Sequence, residues 1–473
     1  MSAGHYAAVD LGASSGRVVV GQVGAGQLDL TEVHRFPNGP VALPDGLRWD
    51  ILRIWQETAT GLRHAARSTG LRSIGIDSWA IDHGLLDQDD ALLGSPWHYR
   101  DDRTTGVAER LFADLPAEDV YRINGLQHLP FTTVYQLMAS QGSAQYAAAT
   151  SMLLVPDLLT FWLTGLKGCE RTNASTTGML DVSSGRWSSE ILTAARISPG
   201  LLPPLREPGQ TVGPVTARMR EVTGMDADTV VTAVGSHDTA SAVVAVPATG
   251  DRWAYVACGT WALVGVELDH PVLTEDSRRA NFTNEVGIDG TIRYLRNVMG
   301  LWVLSETLRT WTMQGIPSDL ASLLAEAESL RPGGPMINID DPSLLPPGDM
   351  PARIEALLRA SGQDVPTGRA AMVRCILESL AQAFARTVED AASLSGRAVD
   401  AVHIVGGGAN NGLLCQLTAD ACGRPVLAGP AEATALGNIL VQARSHGDVK
   451  GDRDDLRELV RRTHEVARYE ARG

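Results

Sequence analysis

An apolar strand that breaks at a turn of small residues and resumes as a β-branched strand opens this chain, and the same plan returns at mid-chain. Tyr6 to Leu11 is apolar around Asp10, Gly12 to Gly16 has turn composition, and Arg17 to Val23 is β-branched, which reads as a β-hairpin. A dinucleotide-binding glycine loop would run from its strand directly into a helix, and Val18, Val19 and Val20 in that place speak for a strand instead. After Pro247 come Ala254 to Cys258, the turn residues Gly259 and Thr260, and then Trp261 to Val266. Two halves that open alike predict a duplicated α/β fold with a cleft between the halves, divided at residues 1–245 and 246–473. Length agrees, since 473 residues at about 150 per domain make roughly two to three domains.

Between these landmarks strand and helix alternate. Asp50 caps an amphipathic stretch to about Ala66, and Ser73 to Ser78 is a short buried strand. Apolar residues at helical spacing from Arg369 to Leu394 predict a long helix, and Val402 to Val405 a strand entering Gly406, Gly407 and Gly408. The acid–base run after Lys450 reads as a solvated terminal helix.

A net charge of -15 argues against nucleic acid or an anionic membrane as partner and points to a small ligand. If that ligand carries phosphates, backbone N–H groups and a metal ion must hold them locally, because the global field repels them. Five cysteines without CxxC spacing indicate neither a disulfide framework nor a zinc site, and fit a reducing cytoplasm. The sequence offers no secretory leader and no apolar run of roughly 18 residues, so a soluble, untargeted chain is expected.

Four constellations could carry chemistry. In Asp10 to Arg17 (DLGASSGR), small residues let N–H groups approach an anion, Ser14 and Ser15 add hydroxyls, Arg17 adds a phosphate fork, and Asp10 suits magnesium; a plain hairpin turn accounts for it equally. In Gly235 to Ser241 (GSHDTAS), Asp238 stands at a strand-to-helix junction where a carboxylate can take a proton from a bound hydroxyl, although a helix cap at Ser236 or Asp238 is the readier local reading and the two are compatible. In Ile404 to Asn411 (IVGGGANN), glycines permit a flat base to pack on backbone, or simply allow a turn of positive φ. The loops IDSWAIDH (Ile76 to His83) and YRDDRT (Tyr99 to Thr104) offer multidentate partners for sugar hydroxyls, or surface ion pairs.

Taken in order, these motifs with TNAST, CGTWAL, NVMGLW and PAEATALGNI resemble the FGGY family of carbohydrate kinases, over residues 8 to about 440. The resemblance implies two ribonuclease-H-like (actin/hexokinase-like) domains with an active-site cleft between them. It implies ATP-dependent phosphorylation of L-rhamnulose at O1, with other ketoses or polyols (fuculose, xylulose, glycerol) as the alternative and a non-catalytic sugar-binding protein behind both. By the same resemblance Ala13, Ser14, Ser15, Gly16, Arg17, Thr260, Ser305 and Gly407 contact ATP, and Asp10 stands by Mg2+. Asp238 is then the base, and Ala80, Asp82, His237, Thr239 and Asn297 hold the sugar. A monomer or homodimer is implied. The chain departs from the family at WAIDH, where relatives typically carry WGVDF; Ala80 and His83 therefore bear on which sugar fits.

Overall fold

The computed structural model describes residues 3–24, 26–68 and 70–472. Contacts gather the chain into two compact units. The first comprises Met1–Pro247, Glu267–Tyr294 and Ala433–His464; the second comprises Ala248–Val266, Leu295–Glu432 and Glu465–Gly473.

The opening hairpin forms as expected: Gly4–Leu11 pairs antiparallel with Ser15–Gly24, placing Asp10 opposite Arg17, and Gln27–Pro37 extends the sheet antiparallel. On its other side Gly4–Leu11 takes Ser73–Ser78 as a parallel neighbour, with Asp10 in register with Asp77. Val230–Thr232 and Thr211–Pro214 complete a six-stranded sheet. Its central strands are buried on both faces, which is why Tyr6 to Val9 is an unbroken apolar run. Asp50 caps the helix Ile51–Ser68 by accepting from the Arg53 N–H at 3.1 Å.

The helix Ala433–Ser445 packs on this sheet and on the helix Asp238–Val244. Both contacts demand glycine: a Cβ on Gly437 would lie 1.8 Å from the Ser241 carbonyl oxygen, and one on Gly75 would lie 2.3 Å from Asn438 Oδ1. The terminal helix Arg453–Thr463 begins with a capping box between Asp452 and Asp455. It is not wholly solvated, contrary to the reading of its charges. Leu456 and Val460 are buried, and Arg457 turns inward to bond Val243 O at 3.3 Å and Glu267 at 2.9 Å. Its charged residues alternate with an apolar stripe at helical spacing.

In the second unit Trp253–Cys258 pairs antiparallel with Trp261–Leu268 and parallel with Ala401–Val405, followed by Val426–Ala428 and Ala467–Tyr469. The turn at Gly259 and Thr260 is pinned from outside. Leu301 N–H donates to Gly259 O at 2.9 Å and Trp302 N–H to Thr260 O at 3.2 Å, so Gly300 lies where a Cβ would be 2.5 Å from the Trp261 carbonyl carbon. The long helix Arg369–Ser395 ends at left-handed Gly396. The glycines after Ala401–Val405 form a 3-10 turn, Gly407–Asn410, and then the helix Gly412–Cys422. A Cβ on Gly408 would meet the Cys258 side chain at 2.5 Å, and Gly406 has φ +80°.

Candidate active site

Asp238 is the first residue of the helix Asp238–Val244, and no side chain caps that helix at His237. The side chain keeps 30% of its accessible surface, so its carboxylate can be reached. Enclosure pushes its pKa above the ordinary carboxylate range, with His237 opposing and Asp10 adding to the rise. Thr239 donates its hydroxyl to Asp238 Oδ1 at 3.0 Å.

The loop before the helix is fixed from three directions. Ser78 N–H donates to Ser236 O at 2.9 Å, continuing the pairing of the neighbouring strand. Buried Glu170 accepts from Ser236 N–H at 2.8 Å while also accepting from Thr172 N–H and Thr172 Oγ1, at 2.8 and 2.5 Å. Asn173 Nδ2 donates to Ser236 O at 3.4 Å, and His237 N–H to Thr172 Oγ1 at 3.4 Å. A carboxylate that satisfies several N–H groups at once orders a loop better than any one neutral acceptor.

Asp10 and Asp77 stand side by side at the ends of two parallel strands. Arg17 directs Nε and Nη2 to Asp10 Oδ2, at 2.9 and 2.7 Å, using two of its five donors. Asp77 is fully buried; Asn438 Nδ2 donates to its Oδ2 at 2.6 Å, and its Oδ1 has no hydrogen-bond donor. Burial first, then Asp10 and also Asp238, push the Asp77 carboxyl well above its usual range. An orphaned carboxylate oxygen beside a second carboxylate suits a hard cation. Among the described residues no group of three or more His, Cys, Asp and Glu could hold a metal ion. Asp10 and Asp77 alone are a donor set of the kind on which magnesium commonly rests, with phosphate and water completing its shell.

In the turn, Gly12 N–H donates to Ser15 O at 2.9 Å and Asn38 brackets it by bonding Ser14 O and Gly12 O. Ser14 is exposed and Ala13 half-buried. Gly16 has a packing reason of its own, because a Cβ there would meet the Phe36 ring at 2.3 Å.

Asp82 lies 1% exposed and accepts from four donors: Trp49 Nε1 at 2.6 Å, Trp79 Nε1 at 3.1 Å, Tyr99 N–H at 3.2 Å and Gln136 Nε2 at 2.8 Å. Burial nonetheless pushes its pKa up to about 6. Around it Trp49 stacks on Trp79 at 4.0 Å, and His98 on Tyr99 at 4.7 Å. Ile81, between Ala80 and Asp82, takes φ +69°, the tight geometry that turns Asp82 inward. His83 follows into a strand as a buried ring whose pKa burial lowers to about 3, so it is neutral.

Residues 5–245 match the N-terminal domain model of the FGGY family of carbohydrate kinases, and residues 254–446 its C-terminal domain model. The chain belongs to that family. As an FGGY carbohydrate kinase it uses a sugar and ATP. It is 39% identical to the rhamnulokinase of Bacteroides thetaiotaomicron over 468 residues, covering 98% of the chain and 95% of the relative. Identity to the Bacillus subtilis rhamnulokinase is 37% over 465 residues, covering 98% and 94%. The fold matches gluconate kinase from Lactobacillus acidophilus at TM-score 0.79 (17% identity; 100% and 94% covered). It matches glycerol kinase from Plasmodium falciparum with ADP at TM-score 0.77 (16% identity; 99% and 94% covered).

In the second unit of this FGGY kinase, Gly259 and Gly407 are exposed and Thr260 half-buried; a Cβ on Gly407 would meet nothing within 4 Å. Ser305 is exposed on the helix Trp302–Met313, and Asn297 is half-buried on the strand Ile292–Met299. Sequence reasoning missed Glu170 and Asn438, and it offered Asp77 only as a partner for sugar hydroxyls, not as the neighbour of Asp10. Glu170 immediately precedes the RTNAST run, and Asn438 lies in PAEATALGNI, but nothing local marks either side chain as aimed at a strand hundreds of residues away or at a loop 66 residues on. Among the described residues no helix is long and apolar enough to cross a membrane.

Proposed function

We propose that this kinase transfers the γ-phosphoryl group of ATP to O1 of L-rhamnulose. The observation that carries the reading is Asp238: a reachable carboxylate of raised pKa at the head of a helix, on a loop braced by Glu170, Thr172 and Asn173. Near full-length similarity to rhamnulokinases supports the choice of sugar. Asp238 takes the O1 proton as O1 attacks the γ-phosphorus and the bond to the ADP oxygen breaks. His237, Thr239, Ala80 and Asn297 hold the sugar, and Asp82 serves it by fixing the Trp49 and Trp79 rings. Ala13, Ser14, Ser15, Gly16 and Arg17 face phosphate from residues 1–245, and Thr260, Ser305 and Gly407 contribute nucleotide contacts from residues 246–473. Magnesium, held by Asp10 with Asp77 in support, would offset charge on the transferring phosphoryl group. The setting is the cytoplasm, where ATP and reduced thiols coexist.

A second ketose or polyol is favoured by Ala80 alone, since His83 is interior and uncharged. A coupled ADP-release assay over L-rhamnulose, L-fuculose, D-xylulose and glycerol decides between them. Asp238→Asn should fold, bind ATP and lose about 10² to 10⁴-fold in turnover. Near-wild-type turnover in that variant overturns the assignment of the base.

A further inference from the structure

His237 is held by its ring as well as by its backbone. Its Nε2 lies 3.5 Å from Asp238 Oδ1, and its Nδ1 lies 3.1 Å from Glu285 Oε2. Glu285 comes from the strand Thr283–Val286 and is 4% exposed. Behind it, fully buried Arg293 sets Nη1 3.0 Å from the same Glu285 oxygen and Nη2 3.3 Å from His237 Nδ1, and anchors itself on Val286 O through Nε and Nη2 at 3.3 and 3.2 Å. Burial alone would raise the Glu285 pKa; Arg293 and His237 outweigh it and hold the carboxyl below its ordinary value.

Two charges removed from water are costly unless each is paired, so a buried Glu–Arg pair with no surface role asks for a reason. The contact it makes supplies one. A histidine whose Nδ1 meets both the Glu285 carboxylate and the Arg293 guanidinium, and whose Nε2 meets Asp238, has one favoured orientation, because rotating the ring would leave Glu285 and Arg293 facing carbon. The same strand also ties down the loop's other support, because Val286 N–H donates to Ser175 Oγ at 2.9 Å, in the segment whose Thr172 and Asn173 hold His237 and Ser236.

We propose that Glu285, backed by Arg293, is a positioning residue that fixes the His237 imidazole so that its Nε2 edge faces Asp238 and the bound sugar. This rests on Asp238 being the base and His237 a sugar contact. Glu285 touches neither substrate; it acts through His237.

The test is a double-mutant cycle of His237→Ala and Glu285→Gln, read as kcat/KM for L-rhamnulose, as kcat/KM for ATP, and as L-rhamnulose Kd by calorimetry. Glu285→Gln alone should lower sugar kcat/KM by about 10- to 100-fold, within the range of coupling between neighbouring buried groups, and leave the KM for ATP unchanged. In the His237→Ala background the same change should cost nothing further. Equal losses in both backgrounds, or no loss in either, overturn the inference. Glu285→Gln/Arg293→Met removes both buried charges and keeps the test readable where the single variant folds poorly. It should melt like the wild type yet retain the sugar defect, and recovery of wild-type kcat/KM would overturn the inference. Near-wild-type turnover in Asp238→Asn is a separate result that removes the base and leaves the cycle to be read by sugar Kd.

Discussion

Asp238 must be ionised to accept a proton, and its enclosure raises its pKa. Falling pH therefore removes the base form sooner than it would for an ordinary aspartate, whose pKa is about 3.9. The acid limb of kcat/KM for the sugar, measured at saturating ATP, should fall with a slope of one and a midpoint above that value; a profile flat down to about pH 4 would contradict the role. Asp82 behaves differently because it is a structural hub. Asp82→Asn turns one acceptor into a donor that must face either the indole N–H groups or Gln136 Nε2, and should cost about 1 to 3 kcal/mol in denaturant unfolding at pH 7. The folded-state pKa of about 6 lies above the unfolded value, so the folded protein binds the extra proton. Wild-type stability gains from this group as pH falls through 6, and the gap to Asp82→Asn should widen from pH 6 towards 4. Ala80, Asp82 and His83 were legible in sequence as a polar loop; that two of the three face inward was not, because the inward turn depends on a left-handed Ile81.

At the scale of elements, the helix that carries Asp238 is set by its contact with Ala433–Ser445. Gly437→Ala would press a methyl onto the Ser241 carbonyl, which the backbone can relieve only by moving the helix. An overpacking cost of about 1 to 3 kcal/mol or more is expected, together with a fall in kcat, by denaturation and steady-state kinetics. Gly300→Ala makes the corresponding test in the second unit, where the new methyl would collide with the Gly259–Thr260 turn. It should raise the KM for ATP and leave the sugar KM in place; the reverse pattern would remove Thr260 from the nucleotide contacts. Both opening hairpins and the strand Ser73–Ser78 could be read beforehand because alternation and turn composition are local signals. The buried face of the terminal helix could not, since Arg457 looks solvated until Glu267 is brought beside it.

Across the whole molecule all five cysteines are free and four are buried, and burial pushes the thiols of Cys258, Cys375, Cys415 and Cys422 up to about 12. Thiols so seldom ionised are poor nucleophiles. The melting temperature should therefore be the same in dithiothreitol and in oxidised glutathione, and a shift between them would reveal a disulfide. The amino-acid sequence by itself determined the duplicated plan and the turns, because each is written in a short run of residues with a local pattern, whereas the kinase chemistry and the role expected of Asp238 came from the resemblance of many motifs in order to one family, since each motif alone had a second physical reading. Only the tertiary structure decided which distant segments complete the first unit: Glu267–Tyr294, which brings Glu285 to His237, and Ala433–His464, which brings Asn438 to Asp77. A buried carboxylate is tolerated only where a partner meets it, and a partner 48 or 361 residues away leaves no periodicity for a sequence to display.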